Sequence, residues 1–285
     1  MCLPFKSTCF LRRRRRFAAA LRRGGGRLRA RRAGFTVIEM VISVGIVAMI
    51  GVALATLSTA AHSSNDYVEG TGDAVQHARV AIHRIRSAVE ESHASSEFPA
   101  FVVVKGSAAS WDFYDALAIW RPSGTPANPE GLPLVEELVV ITYDANTPTR
   151  LVEITVPGDT STVPVATDTA AWTSLLASMR ADAGMVEVEL TDKLKSEKIS
   201  GSDRGGIQFS AAHHPSIAQW ASYTGGSTDF EDLPWVQGIY SSQSGLRQSR
   251  VVFDFQLTAT ATANAGDSTV IPFFGSAAKY YELKP

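Results

Sequence analysis

Apolar and polar positions change period three times along the chain. From Met40 to about Ala61 the residues are almost all apolar, and no charged residue stands between Met40 and Asn65. Roughly 20 such residues cross a hydrocarbon core about 30 Å thick, so this run is long enough to span a membrane as a helix. Further on, Val68, Val75, Ala78, Ile82, Ile85 and Val89 share one stripe, the last five at spacings of 3, 4, 3 and 4. Asp73, Gln76, Arg79, His83, Arg84 and Glu90 lie opposite. That pattern predicts an amphipathic helix, ended by Phe98-Pro99 because proline cannot continue it.

Past Pro99 the pattern is that of strands. Phe101–Lys105, Trp111–Trp120, Glu137–Tyr143 and Arg150–Val156 are rich in aromatic and β-branched residues and are separated by Gly, Pro, Ser and Asn. Leu138–Tyr143 and Leu151–Val156 read as a long-looped hairpin. A short helix is expected around Trp172–Arg180, then an alternating strand Met185–Leu190. Residues 196–249 read as loop-rich, Val251–Leu257 as a late strand and Thr269–Phe274 as a further one. With no internal repeat and no long linker, the expectation is α+β, a single mainly antiparallel domain behind a long N-terminal helix.

Charge sharpens the division. The chain of 285 residues is near neutral, at −1, yet residues 1–34 hold eleven Arg, one Lys and no acid, so the remainder carries a net −13. A basic tract directly before a membrane-length apolar run is the positive-inside pattern. The acidic remainder argues against a nucleic-acid surface on the folded part. Both cysteines, Cys2 and Cys9, lie in the basic tract, so the rest of the chain has no thiol, and a domain of this size does not need a disulfide. The residues before Cys9, Lys6-Ser7-Thr8, do not resemble a lipid-attachment site.

One acid interrupts the apolar run. In Arg31-Arg32-Ala33-Gly34-Phe35-Thr36-Val37-Ile38-Glu39-Met40, Glu39 sits where a carboxylate is unfavourable, which marks it as functional with a partner to be named. Gly34, Phe35, Thr36 and Glu39, leading into the long helix, resemble the type IV pilin and type II secretion pseudopilin family. The resemblance implies that a membrane-embedded prepilin peptidase cuts after Gly34, that Phe35 becomes the N-methylated mature N-terminus, and that Glu39 holds the counter-charge for a neighbouring subunit's α-ammonium. It divides the chain into a leader at 1–34, a transmembrane and assembly helix at 35–61, and an extracytoplasmic domain at 62–285, the helix packing on a β-sheet as in pilins. Implied partners are the prepilin peptidase, other pilins or pseudopilins, and the inner membrane.

Size and layout, with Ile141-Thr142-Tyr143 followed by Arg150-Leu151, look most like a J-type minor pseudopilin, a tip subunit of a pseudopilus in type II protein secretion. A minor type IV pilin for adhesion or DNA uptake is the alternative within the class. A signal-anchored exported domain that never assembles is the alternative outside it. Two departures stand out. The leader is long for the family, which leaves a start codon downstream of Met1 open. The proline often found along the anchor helix is missing, leaving Gly45 and Gly51 as its weak points.

Catalytic signatures are lacking: no Gly-x-Ser-x-Gly elbow, no phosphate loop with Lys, no His-Glu-x-x-His and no Cys-x-x-Cys. A membrane-anchored hydrolase is the rival class, and the expectation is no enzyme and no cofactor. His213-His214-Pro215 is the most ligand-like pair, but neighbours on a strand point to opposite faces and rarely chelate one metal. Asp229, Glu231 and Asp232 lack the spacing of an EF-hand calcium loop and read as a solvated acidic turn. The basic stretch Ala78–Arg86 reads as a solvated helix face.

Overall fold

A computed structural model describes residues 34–108, 111–236, 245–260 and 268–284 of the chain. The basic tract before Gly34, with Cys2 and Cys9, lies outside them. One 54-residue helix, α1 (Val37–Glu90), takes up both the apolar run and the amphipathic stripe and continues through Gly45 and Gly51. The chain divides into two compact units at Ala55/Thr56. In the first unit the apolar side chains face outward: Val37, Val41, Val44, Val47 and Leu54 are all exposed. The most apolar 18-residue window of α1 has a mean hydropathy of 2.5 and none of it is buried, so this helix is long and apolar enough to cross a membrane.

The second unit is mixed α+β with antiparallel sheets. β1 (Phe101–Ala108), β2 (Trp111–Trp120), β3 (Leu138–Tyr143), β4 (Leu151–Thr155) and β5 (Val186–Thr191) form a meander in chain order. α2 (Thr169–Ala181) lies between β4 and β5 in sequence, capped at its N-terminus by the Asp168 carboxylate on the Ala171 N–H. β6 (Ser196–Ile199) and β7 (Ser202–Gly205) make a small hairpin. β8 (Ile207–His214), β9 (Leu246–Thr260) and β10 (Ser268–Glu282) form a second sheet in the order β10-β9-β8, and α3 (Ile217–Thr224) follows β8.

Strand alternation sends successive side chains to opposite faces, and the meander is covered on both. On one face Phe101, Leu117 and Ile141, with Phe209 and Phe253 of the second sheet, close around a seam on α1 made of Ala74, Ala78, Ala81, Ile85 and Ala88. On the other, Val104, Ala118, Trp120 and Val140 meet Trp172, Leu176 and Met179 of α2. Double coverage is why β3 reads as an apolar run broken only by Thr142, all six of its residues being buried.

Several expectations from the sequence need correction. The buried seam of α1 keeps Ala78, Ile85 and Val89 of the expected stripe but adds Ala74, Ala81 and Ala88 beside it, while Val68 is 64% exposed and Val75 and Ile82 are only half-buried. Alanines, weak in a hydropathy pattern, form the contact because their small side chains let the helix lie close to the strands. α1 also ends at Glu90, before Phe98-Pro99. Serines draw the backbone off the helix there: Ser92 Oγ donates to the Val89 carbonyl at 2.6 Å, and Ser95 Oγ accepts from the N–H of Glu97 and Phe98. Residues 196–249 are not mainly loop, since they hold β6, β7, β8, α3 and the start of β9. The late strands are each 15 residues long.

Candidate functional site

The family-like residues meet at the start of α1. Gly34, Phe35 and Thr36 have no regular secondary structure, so the Gly34–Phe35 peptide bond lies outside the helix, and Phe35 is 80% exposed. Helix begins at Val37, which makes Thr36 the N-cap and Glu39 the third helical residue. Glu39 Oε2 accepts from the Thr36 N–H at 2.9 Å and from Thr36 Oγ1 at 3.0 Å, while the Glu39 N–H donates to Thr36 Oγ1 at 3.3 Å. This reciprocal arrangement is a capping box, which satisfies otherwise orphaned N–H groups of the first turn. Its signature, Thr-x-x-Glu before an apolar run, stands in the sequence, where Glu39 reads first as an unfavourable acid in need of a partner. Both side-chain bonds use Oε2, and Oε1 has no hydrogen-bond partner among the described residues.

Other candidates from the sequence separate in space. His213 and His214 lie on β8 and alternate as strand neighbours do, His213 partly buried and His214 exposed. His213 Nδ1 lies 2.8 Å from Ser249 Oγ, a serine–histidine contact that sequence separation concealed. Ser249 is fully buried, and burial, with Arg247 and His214 adding to it, pulls the His213 pKa down to about 3. An imidazole that weakly basic does not take a proton from serine near neutral pH, so the pair is a hydrogen bond within the core. Asp229, Glu231 and Asp232 are exposed around a short turn of 3-10 helix at Phe230–Asp232. Among the described residues no three His, Cys, Asp or Glu side chains converge as a metal site would require.

The basic stretch of α1 is not simply a solvated face. Arg84 makes a two-pronged ion pair with Glu153 of β4, Nε to Oε2 at 2.5 Å and Nη2 to Oε1 at 2.6 Å. Glu153 is 4% exposed; a carboxylate amid Leu151-Val152 and Ile154 needed a cation, and that is the clue the sequence offered. Arg86 Nε donates to the Ser276 carbonyl of β10 at 3.1 Å. Asp73 pairs with Lys193, so the polar side of the helix is tied to its own domain at several points. A cavity of about 210 Å³ between β2, the β6–β7 hairpin and β9 contains the buried ion pair of Asp115 and Arg204. Burial pushes the Asp115 carboxyl up, against the pull of the Arg204 and Arg180 charges.

Comparison with protein-family models, with curated proteins and with solved structures finds no match for this chain.

Proposed function

We propose that the chain is the precursor of a type IV pilin-like subunit, a minor pseudopilin at or near the tip of a pseudopilus that serves type II protein secretion. Prepilin peptidase cuts between Gly34 and Phe35 on the cytoplasmic side. Phe35 is then N-methylated, and the helix to about Ala61 holds the subunit in the inner membrane with the C-terminal domain on the extracytoplasmic face. The protein acts as a structural subunit, not an enzyme. Its α+β unit, with an amphipathic helix laid against antiparallel strands, supports a pilin-like layout.

Glu39 is the observation that carries this reading. It is the one charged side chain between Phe35 and Asn65, and a carboxylate costs up to about 2.5–3.5 kcal/mol at a membrane-helix centre, less near an interface. Capping its own helix through Oε2 leaves Oε1 to meet the α-ammonium that cleavage creates on a neighbouring subunit. In low dielectric such a pair sets register because either charge alone is costly.

Two substitutions separate the cap from the counter-charge. Glutamine at the third helical position keeps a capping box, so Glu39→Gln removes the charge alone, while Glu39→Ala removes both. Both variants are expected to be cleaved and inserted like wild type, and both to fail to co-purify with partner subunits. Normal assembly and export by Glu39→Gln would show that the carboxylate serves only as a cap. Failure of either variant to insert or be cleaved would place its action before assembly.

A further inference from the structure

The second sheet has a covered side and an open one. The odd residues of β9, among them Val251, Phe253 and Phe255, are buried in the core that α1 closes. By strand alternation the even residues of all three strands point the other way. No described element covers that side: Arg250, Val252 and Asp254 of β9, Gln208 and Ser210 of β8, and Phe274 and Ser276 of β10 are all exposed. Phe274 is 71% exposed.

Register sets these residues in three rows across the sheet. Gln208, Asp254 and Phe274 form one row, Ser210, Val252 and Ser276 the next, and Ala212, Arg250 and Ala278 the third. The outer rows are opposites. One holds an acid between two large side chains, and the other holds a base between two alanines. Asp254 and Arg250 stand four residues apart on one strand, about 13 Å, too far to pair with each other. Neither side chain has an ion-pair partner among the described residues.

A face with this pattern is complementary to itself, which is what a two-fold interface requires. A two-fold axis passing between two such sheets at Val252, perpendicular to the strands, reverses strand direction and sets each outer row against the other. Asp254 then faces the partner's Arg250, and Arg250 the partner's Asp254. Phe274 and Gln208 lie over the partner's Ala278 and Ala212, large side chains over small ones. The middle row, with Val252 at its centre, meets itself. Aligned sheets cross at about 30°, which displaces residues two positions from the axis by about 4 Å, within the reach of an arginine. With strands running the same way, Asp254 meets Asp254 and Arg250 meets Arg250, and like charge disfavours that arrangement.

Pairing through the edges of this sheet is closed. β8 lies against the meander. The other edge strand, β10, contains Pro272, which has no N–H to offer, and its Ser276 carbonyl is taken by Arg86. We infer that the open face is the interface of a homodimer, in which the second sheets of two copies stack as a sandwich. The three rows carry one acid and one base, so the face is neutral on a chain that is net −13 beyond Gly34, and two copies meet there without local repulsion. From Gln248 to Gln256 the three strands present roughly 30 Å by 15 Å. That is smaller than the about 800 Å² per partner of a stable interface, so the dimer is weak and dissociates on dilution. The inference rests on the C-terminal unit alone and not on the membrane and assembly reading.

The test follows the full chain in detergent micelles, with reductant present, by sedimentation equilibrium at concentrations up to about 1 mM, a range that captures weak association. The wild-type protein should dimerise reversibly. Asp254→Arg and Arg250→Asp each place like charges at both ends of the contact, and each should weaken the dimer at least tenfold. An equal mixture of the two variants should associate as tightly as wild type, because each then meets its opposite, and so should the chain carrying both substitutions. Both positions are exposed, so the variants are expected to melt as wild type does. Should either fail to melt cooperatively, Val252→Lys, which sets two ammonium groups together at the axis, should weaken the dimer at least tenfold in its place. A wild-type chain that stays monomeric overturns the proposal. Association that these substitutions leave unchanged also overturns it, since the contact would then lie on α1 or another surface. So do single variants that dissociate and are not restored by mixing.

Discussion

Arg84 and Glu153 show how a residue can be misjudged from spacing alone. Arg84 falls on the polar side of α1 and reads as solvated, but its guanidinium satisfies a carboxylate that is 4% exposed. Removing the cation strands a buried charge. Because Arg84 itself is about one-third exposed, the loss is smaller than for a fully enclosed pair, and Arg84→Ala should cost about 2 kcal/mol in chemical denaturation. Arg84→Met with Glu153→Leu should recover most of it, since an apolar pair of similar size replaces the ion pair. A double variant no more stable than Arg84→Ala would show that Glu153 is solvated after all. His213 gives a pH-dependent counterpart. Its folded pKa of about 3 lies below the ordinary 6.5, so the unfolded chain binds the proton first as pH falls. The stability it contributes is complete above about 6.5 and lost progressively toward 3. His213→Gln should therefore flatten the stability profile between pH 6.5 and 5, where carboxylates contribute little. An unchanged slope would mean that the imidazole is hydrated and titrates normally.

At the scale of elements, the strands of the meander were legible because each is bounded by turn residues and enriched in β-branched and aromatic side chains. β2 matches its expected bounds, Trp111–Trp120. The second sheet was harder to see. β8, with Gln208, Ser210 and the histidines among its apolar residues, looks like loop until β9 supplies a face for Ile207 and Phe209. The α1 seam was legible only in part, at Ala78, Ile85 and Val89, since hydropathy cannot show that alanine's size matters more than its apolarity at Ala74, Ala81 and Ala88. Ala78 and Ala81 are 1% and 0% exposed, and overfilling a close-packed contact costs about 1–3 kcal/mol. Ala81→Leu should lower stability by that amount, while Val80→Leu, on the exposed side, should leave it within about 0.5 kcal/mol. Equal effects at the two positions would contradict the placement of the seam.

For the whole molecule, the division at Ala55/Thr56 places both sheets and the amphipathic part of α1 in one unit. Residues from about Ser63 to Pro285 contain that core and no cysteine, so they should fold alone and melt cooperatively, with a midpoint unchanged by reductant. A non-cooperative melt would show that the core depends on residues before Ser63. The N-terminal motif is local in sequence, with basic residues, a glycine, a phenylalanine and one acid at fixed spacing. The capping role of Glu39 was equally local, yet it emerged only from the side-chain geometry. The central claim is tested most directly by the intact mass of protein extracted from the membrane of cells that carry prepilin peptidase. A chain beginning at Phe35 with one added methyl group is the expected result; a retained basic leader, or a chain cut after Ala60 or Ala61, would contradict it.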